Sequence, residues 1–87
     1  MNIIVAQWFA GGKSMARKDD VLNMQIILMP VLAKAWHVSY PELGKIVRKY
    51  DVMDYIDAKY DMYNSTGTEG VVDDLTDYVR AKGARVA

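Results

Sequence analysis

From Met15 onward, apolar residues fall along this chain in four blocks separated by short polar breaks, nearly continuous in the first and at helical spacings in the other three. The densest block is Val21 to Trp36, VLNMQIILMPVLAKAW, interrupted only by Asn23, Gln25, Pro30 and Lys34. A helix built from it is apolar around most of its circumference, which predicts a central core element that the other helices pack against. Asp19 or Asp20 is the expected cap, so the helix should begin near Val21. Pro30 removes one backbone hydrogen bond and crowds the preceding turn, which predicts a kink near Gln25 to Pro30. The apolar content on both sides of Pro30 favours a kink over a break. Lys34 and His37 suit the negative end of the helix dipole.

Ser39-Tyr40-Pro41-Glu42 reads as a capping box with proline in the first turn, so a second helix starts here. Its inner stripe is Leu43, Ile46, Val47 and Tyr50, with Lys45, Arg48 and Lys49 outside. Asp51 ends it and is the expected cap of a third helix, with Val52, Ile56, Tyr60 and Tyr63 inward and Asp54, Asp57 and Asp61 outward. Asn64-Ser65-Thr66-Gly67 is a turn by composition. Thr68 then caps a fourth helix with Val71, Val72, Leu75, Tyr78 and Val79 inside and Asp73, Asp74 and Asp77 outside. Gly83 stops it, and the last four residues should fray. The pattern therefore predicts an all-α fold: one small domain over residues 15–87, with four helices at about 19–37, 40–50, 52–62 and 69–82 and a proline-kinked first helix.

Residues 1–14 stand apart. IIVAQWFA is uncharged, proline-free and strand-favouring, a profile that aggregates if left uncovered. It reads as an arm packed on the domain or a partner, as an appendage foreign to the natural chain, or as an overextended start with Met15 as the natural beginning. It lacks the basic leading region of an export signal. Gly12-Lys13-Ser14 resembles the end of a phosphate-binding loop, but that loop's first glycine would fall at Gln7.

Charge changes the picture by exclusion. With 11 basic and 11 acidic residues there is no basic excess of the kind that phosphate binding normally leaves. No cysteine is present, so thiolate nucleophiles, disulfides and cysteine-held zinc are ruled out together. No stretch reaches the roughly 20 apolar residues that span a bilayer. A cytoplasmic location is the expectation, with no membrane partner. His37 is the single histidine and, lacking a second ligand or a nucleophile, reads as a helix-end residue. No catalytic, cofactor or metal site emerges, so the chain reads as a non-enzyme.

The remaining candidate chemistry is acidic. Asp51, Asp54, Asp57, Asp61, Asp73, Asp74 and Asp77 lie within 27 residues, without the alternating oxygen ligands and central glycine of a calcium loop. A solvated face is the plain reading. The sharper one is a docking surface for a basic protein partner, acting mainly on association rate and specificity. Six tyrosines exceed what so small a core needs, and tyrosine is enriched at interfaces. The candidate contact residues are Asp54, Tyr55, Asp57, Asp61, Tyr63, Asp73 and Asp77.

Lys49-Tyr50-Asp51-Val52-Met53-Asp54-Tyr55, then Tyr60-Asp61, Gly67 and Val72-Asp73-Asp74-Leu75 with Tyr78, resemble an uncharacterised family of short bacterial proteins, a domain-of-unknown-function family. The likeness is carried by residues 43–82 and extends weakly back to Val21. Asn64 stands where that family commonly has a histidine, so no role of that histidine is carried over. Members look like small helical proteins often encoded beside a second family resembling ADP-ribosyltransferase toxins. The resemblance thus implies an antitoxin-like partner for the product of an adjacent gene. Two other readings remain open. One is a helix-turn-helix nucleic-acid binder using Lys45, Arg48 and Lys49, which would need to line up with Lys13, Arg17 and Lys18 or with Arg80, Lys82 and Arg85. The other is a homodimer that buries the broad first helix.

Overall fold

A computed structural model describes residues 13–86. The described chain is all-helical: α1 Lys13–Trp36, α2 Tyr40–Lys49, α3 Val52–Tyr63 and α4 Thr68–Ala81. The four blocks of the sequence pattern thus become four helices. Residues 1–14, which the sequence sets apart as an arm or appendage, lie almost wholly outside the described residues, and α1 already includes Lys13 and Ser14.

Asp19 and Asp20 are therefore interior residues of α1 rather than its caps. Met15-Ala16-Arg17-Lys18 are good helix formers, and nothing among them stops the helix earlier. Pro30 stands inside a single continuous helix, so the run is not broken in two.

At the end of α1 the chain turns sharply, α1 and α2 meeting at 107°. His37 makes the turn. It takes the left-handed conformation at φ 54°, His37 N–H donates to Lys34 O at 3.3 Å and Val38 N–H to Ala33 O at 3.1 Å. This paired arrangement is a Schellman motif, normally closed by glycine. The histidine is thus a helix-end residue in a literal sense. Ser39 caps α2 as expected, Glu42 N–H donating to Ser39 Oγ at 3.3 Å and Ser39 N–H to Glu42 Oε1 at 3.4 Å.

The next two expected caps differ. Asp51 occupies the boundary before α3 but is left-handed at φ 53°, and its side chain makes no capping bond. Gly67 stands at the cap position of α4, and Thr68 is the first helical residue. At the far end, Gly83 takes φ 103°, with Gly83 N–H on Arg80 O and Ala84 N–H on Val79 O, both at 2.9 Å. The tail beyond it does not hang free. Ala84 and Val86 pack against the core, and the Arg80 guanidinium donates to Val86 O at 3.0 Å.

The core consists of Leu28, Leu32 and Trp36 from α1, Leu43 and Val47 from α2, Val52, Ile56 and Tyr63 from α3, and Val71, Leu75 and Val79 from α4. The stripes marked by spacing on α2 and α4 turn to the core, α3 buries Val52, Ile56 and Tyr63 but leaves Tyr60 only half-buried, and α1 contacts all three helices. Yet α1 is not enclosed. Among the described residues, only the face bearing Val21, Leu28, Leu32 and Trp36 is covered, while Leu22, Ile26 and Ile27 are 53%, 57% and 64% exposed. Three short helices on one side of a longer one cannot wrap it, whatever the composition of its far side.

Candidate interaction surface

The polar chemistry of the molecule gathers between α3 and α4. Tyr55 and Tyr63 lie eight residues apart on α3, two turns along one side, and Asp74 and Tyr78 lie one turn apart on α4. Packing these sides together places Asp74 Oδ2 between two phenols. Tyr55 Oη donates to it at 3.1 Å and Tyr63 Oη donates to the same oxygen through a short contact. The Tyr55 and Tyr78 rings stack with centroids 3.8 Å apart, and Tyr78 Oη donates to Tyr50 O at 2.6 Å, tying α4 to the end of α2.

This cluster is electrostatically one unit. Burial raises the Tyr63 phenol well above its ordinary range, and the hydrogen bond to Asp74 and the Asp74 charge add to the shift. Tyr55 is raised for the same reasons in the same order. Both hydroxyls are therefore held as neutral donors to a carboxylate, the stronger class of hydrogen bond. A second tie joins α1 to α4: the Trp36 indole N–H donates to Thr76 Oγ1 at 2.8 Å, whose own hydroxyl donates to Val72 O at 2.7 Å. Gln25 Nε2 donates to Met53 O at 3.0 Å, fastening α1 to α3.

The sequence-derived contact residues separate accordingly. Asp54, Asp57, Asp61, Asp73 and Asp77 are exposed. Tyr55 is half-buried in the cluster, and Tyr63 is 2% exposed, so its ring belongs to the core and offers no surface to a partner. Asp74, read from the sequence as part of the outer stripe, turns inward instead. Its signal was present in the pattern as a carboxylate one turn from Tyr78, but spacing alone could not say which tyrosines of another helix would meet it.

The exposed carboxylates border different parts of α1. Asp57 lies beside Arg17 at 3.5 Å, in a groove that also holds Lys18 and Leu22. Asp73 borders a groove with Lys34 and His37 near the other end of α1. A cleft of about 300 Å³ opens between α1 and the α3–α4 turn, lined by Met24, Ile27, Tyr60 and Tyr63 among others. Among the described residues, no three histidine, aspartate or glutamate side chains are grouped to hold a metal ion. No single helix there is long and apolar enough to cross a membrane.

Fold and polar network together define a small all-helical domain whose inward-facing polar groups serve packing. Residues 23–82 match the model of a protein family of unknown function, DUF3791, and the chain belongs to that family. Comparison with curated proteins and with solved structures gave no match.

Proposed function

We propose that this protein is a non-catalytic protein-interaction module, the antitoxin-like partner of a toxin-like enzyme encoded beside it. One contrast supports the reading. Asp74 is drawn inside and satisfied by two phenols, whereas Asp54, Asp57 and Asp61 line one flank of α3 in the open, and only Asp57 has an ion-pair partner among the described residues. Spacings of three and four residues put these three carboxylates within about 11 Å along the helix. They form a compact acidic strip for a basic partner, acting through association rate and specificity. The Arg17–Asp57 pair is largely exposed and contributes little to the fold, so the strip can be altered with small effect on folding.

The test is co-expression with the neighbouring gene product, tagging only the neighbour. Co-purification at fixed stoichiometry that is lost in Asp54→Lys/Asp57→Lys/Asp61→Lys, with an unchanged far-ultraviolet spectrum, is the expected result. Absence of any complex from a well-folded chain would refute the proposal.

A second reading, nucleic-acid binding, draws on a different observation. Lys49 lies 5.5 Å from the Tyr50 ring and Lys82 lies 5.3 Å from the Tyr78 ring, and these tyrosines are joined by the Tyr78 Oη bond. The basic ends of α2 and α4 therefore meet. A steep loss of DNA affinity with rising salt would support it, and no binding at low salt would remove it.

A further inference from the structure

The uncovered side of α1 is patterned as well as apolar. Asp19, Asn23, Ile26, Pro30 and Lys34 succeed one another at spacings of four, three, four and four, which sets them on one stripe, with Leu22 and Ile27 on its two flanks. All seven are exposed. The stripe lies away from the buried face formed by Val21, Leu28, Leu32 and Trp36, so α2, α3 and α4 do not cover it.

Its charges sit at the two ends with opposite sign. Asp19 is near the start and Lys34 near the finish, separated by fifteen residues, or about 22 Å of helix. The midpoint between them falls between Ile26 and Ile27, the two most exposed large aliphatic side chains among the described residues. A stripe with this symmetry is complementary to itself. When a second α1 lies antiparallel across a two-fold axis at that midpoint, Asp19 of each copy meets Lys34 of the other. Ile26 then lies level with Ile27, and Asn23 meets Pro30. A parallel pairing in register would instead set Asp19 against Asp19 and Lys34 against Lys34. The geometry points to a homodimer in which two copies of this chain pair through antiparallel α1 helices, with reciprocal Asp19–Lys34 ion pairs flanking an aliphatic centre.

This is an isologous contact, the commonest kind of protein dimer, and it closes on itself without leaving a free copy of the surface. A single helix pair is a small interface, so the dimer exchanges with monomer rather than being permanent. The acidic strip of α3 plays no part in it. The dimer and the toxin-partner reading therefore stand or fall separately.

The symmetry supplies a test that few other arrangements would pass. The full chain is followed by sedimentation velocity over a concentration series, with thermal melting of each variant as the folding control. Asp19→Lys places lysine against Lys34 twice per dimer, and Lys34→Asp places aspartate against Asp19 twice, so each single variant is expected to raise the dissociation constant by about tenfold or more. The double variant Asp19→Lys/Lys34→Asp restores the wild-type value. Mixing the two single variants gives a heterodimer tighter than either variant's own homodimer. A wild-type chain that stays monomeric at every concentration overturns the proposal, as does a dimer indifferent to these swaps. Ile26→Glu is the second probe: a folded Ile26→Glu chain that still dimerises as wild type does would overturn it equally.

Discussion

Asp74 gives the sharpest test of how this domain is held together, because its neighbour Asp73 is the same residue type in the opposite situation. In Asp74→Ala the Tyr63 hydroxyl loses its acceptor inside a residue that is 2% exposed. A hydrogen bond to a charged acceptor contributes about 1.5–3 kcal/mol, and an orphaned buried donor costs about 1–3 kcal/mol. Tyr55 is half-buried and regains water, so its loss adds less. The expected total is about 2–4 kcal/mol, which for a domain of this size lowers Tm by roughly 10–25 °C. Asp73→Ala, at an exposed position, should stay within about 0.5 kcal/mol of wild type. Urea unfolding followed by circular dichroism gives both values. The double variant Tyr63→Phe/Asp74→Ala completes a cycle whose coupling should exceed about 1 kcal/mol, since the two groups share one bond. Equal losses from Asp73→Ala and Asp74→Ala, or a cycle that is simply additive, would refute the account of this network.

The same structure bears on three further measurements. His37→Gly should stabilise the protein by about 0.5–1 kcal/mol in urea unfolding, because the left-handed conformation costs a side-chain residue about 1–2 kcal/mol and glycine gives part of that back as unfolded-state entropy. Thr76→Val keeps the shape of the side chain but deprives the Trp36 indole of its acceptor, and it should cost about 1–2 kcal/mol with a change in tryptophan emission. Alkaline pH should unfold the domain. Tyr63 is held neutral in the fold, with a folded value raised above the unfolded one near 10. The stability this represents is complete below pH of about 10 and declines above it, by about 1.4 kcal/mol per pH unit for that one phenol. Absorbance at 295 nm should show its ionisation coinciding with unfolding, and an early titration in the folded state would contradict the burial.

Taken alone, the sequence determined the number and order of the helices and the approximate limits of α2, α3 and α4, because their apolar residues recur at helical spacing and carry local punctuation, whereas α1 begins at Lys13, well before the cap expected at Asp19 or Asp20. Ser39 with Glu42, and Gly83 with its left-handed turn, are local signals that depend only on near neighbours, and both appear in the fold as read. The inner stripes of α2 and α4 were legible for the same reason. Caps were less so: the short polar side chains of Asp51 and Thr68 suit many boundary positions, and here neither one caps.

What only the tertiary structure decided is which side of each helix has a neighbour. The apolar run of α1 has enough aliphatic surface for a helix covered all round, yet three short helices reach one side, leaving Leu22, Ile26 and Ile27 in the open. Asp73, Asp74 and Asp77 carry the same side chain within five residues of one helix. The angle at which α4 meets α3 takes Asp74 inward to two tyrosines and leaves the other two in solvent. Composition and periodicity are properties of one helix, whereas burial and hydrogen-bond partnership belong to pairs of helices and are settled only when the pairs are packed.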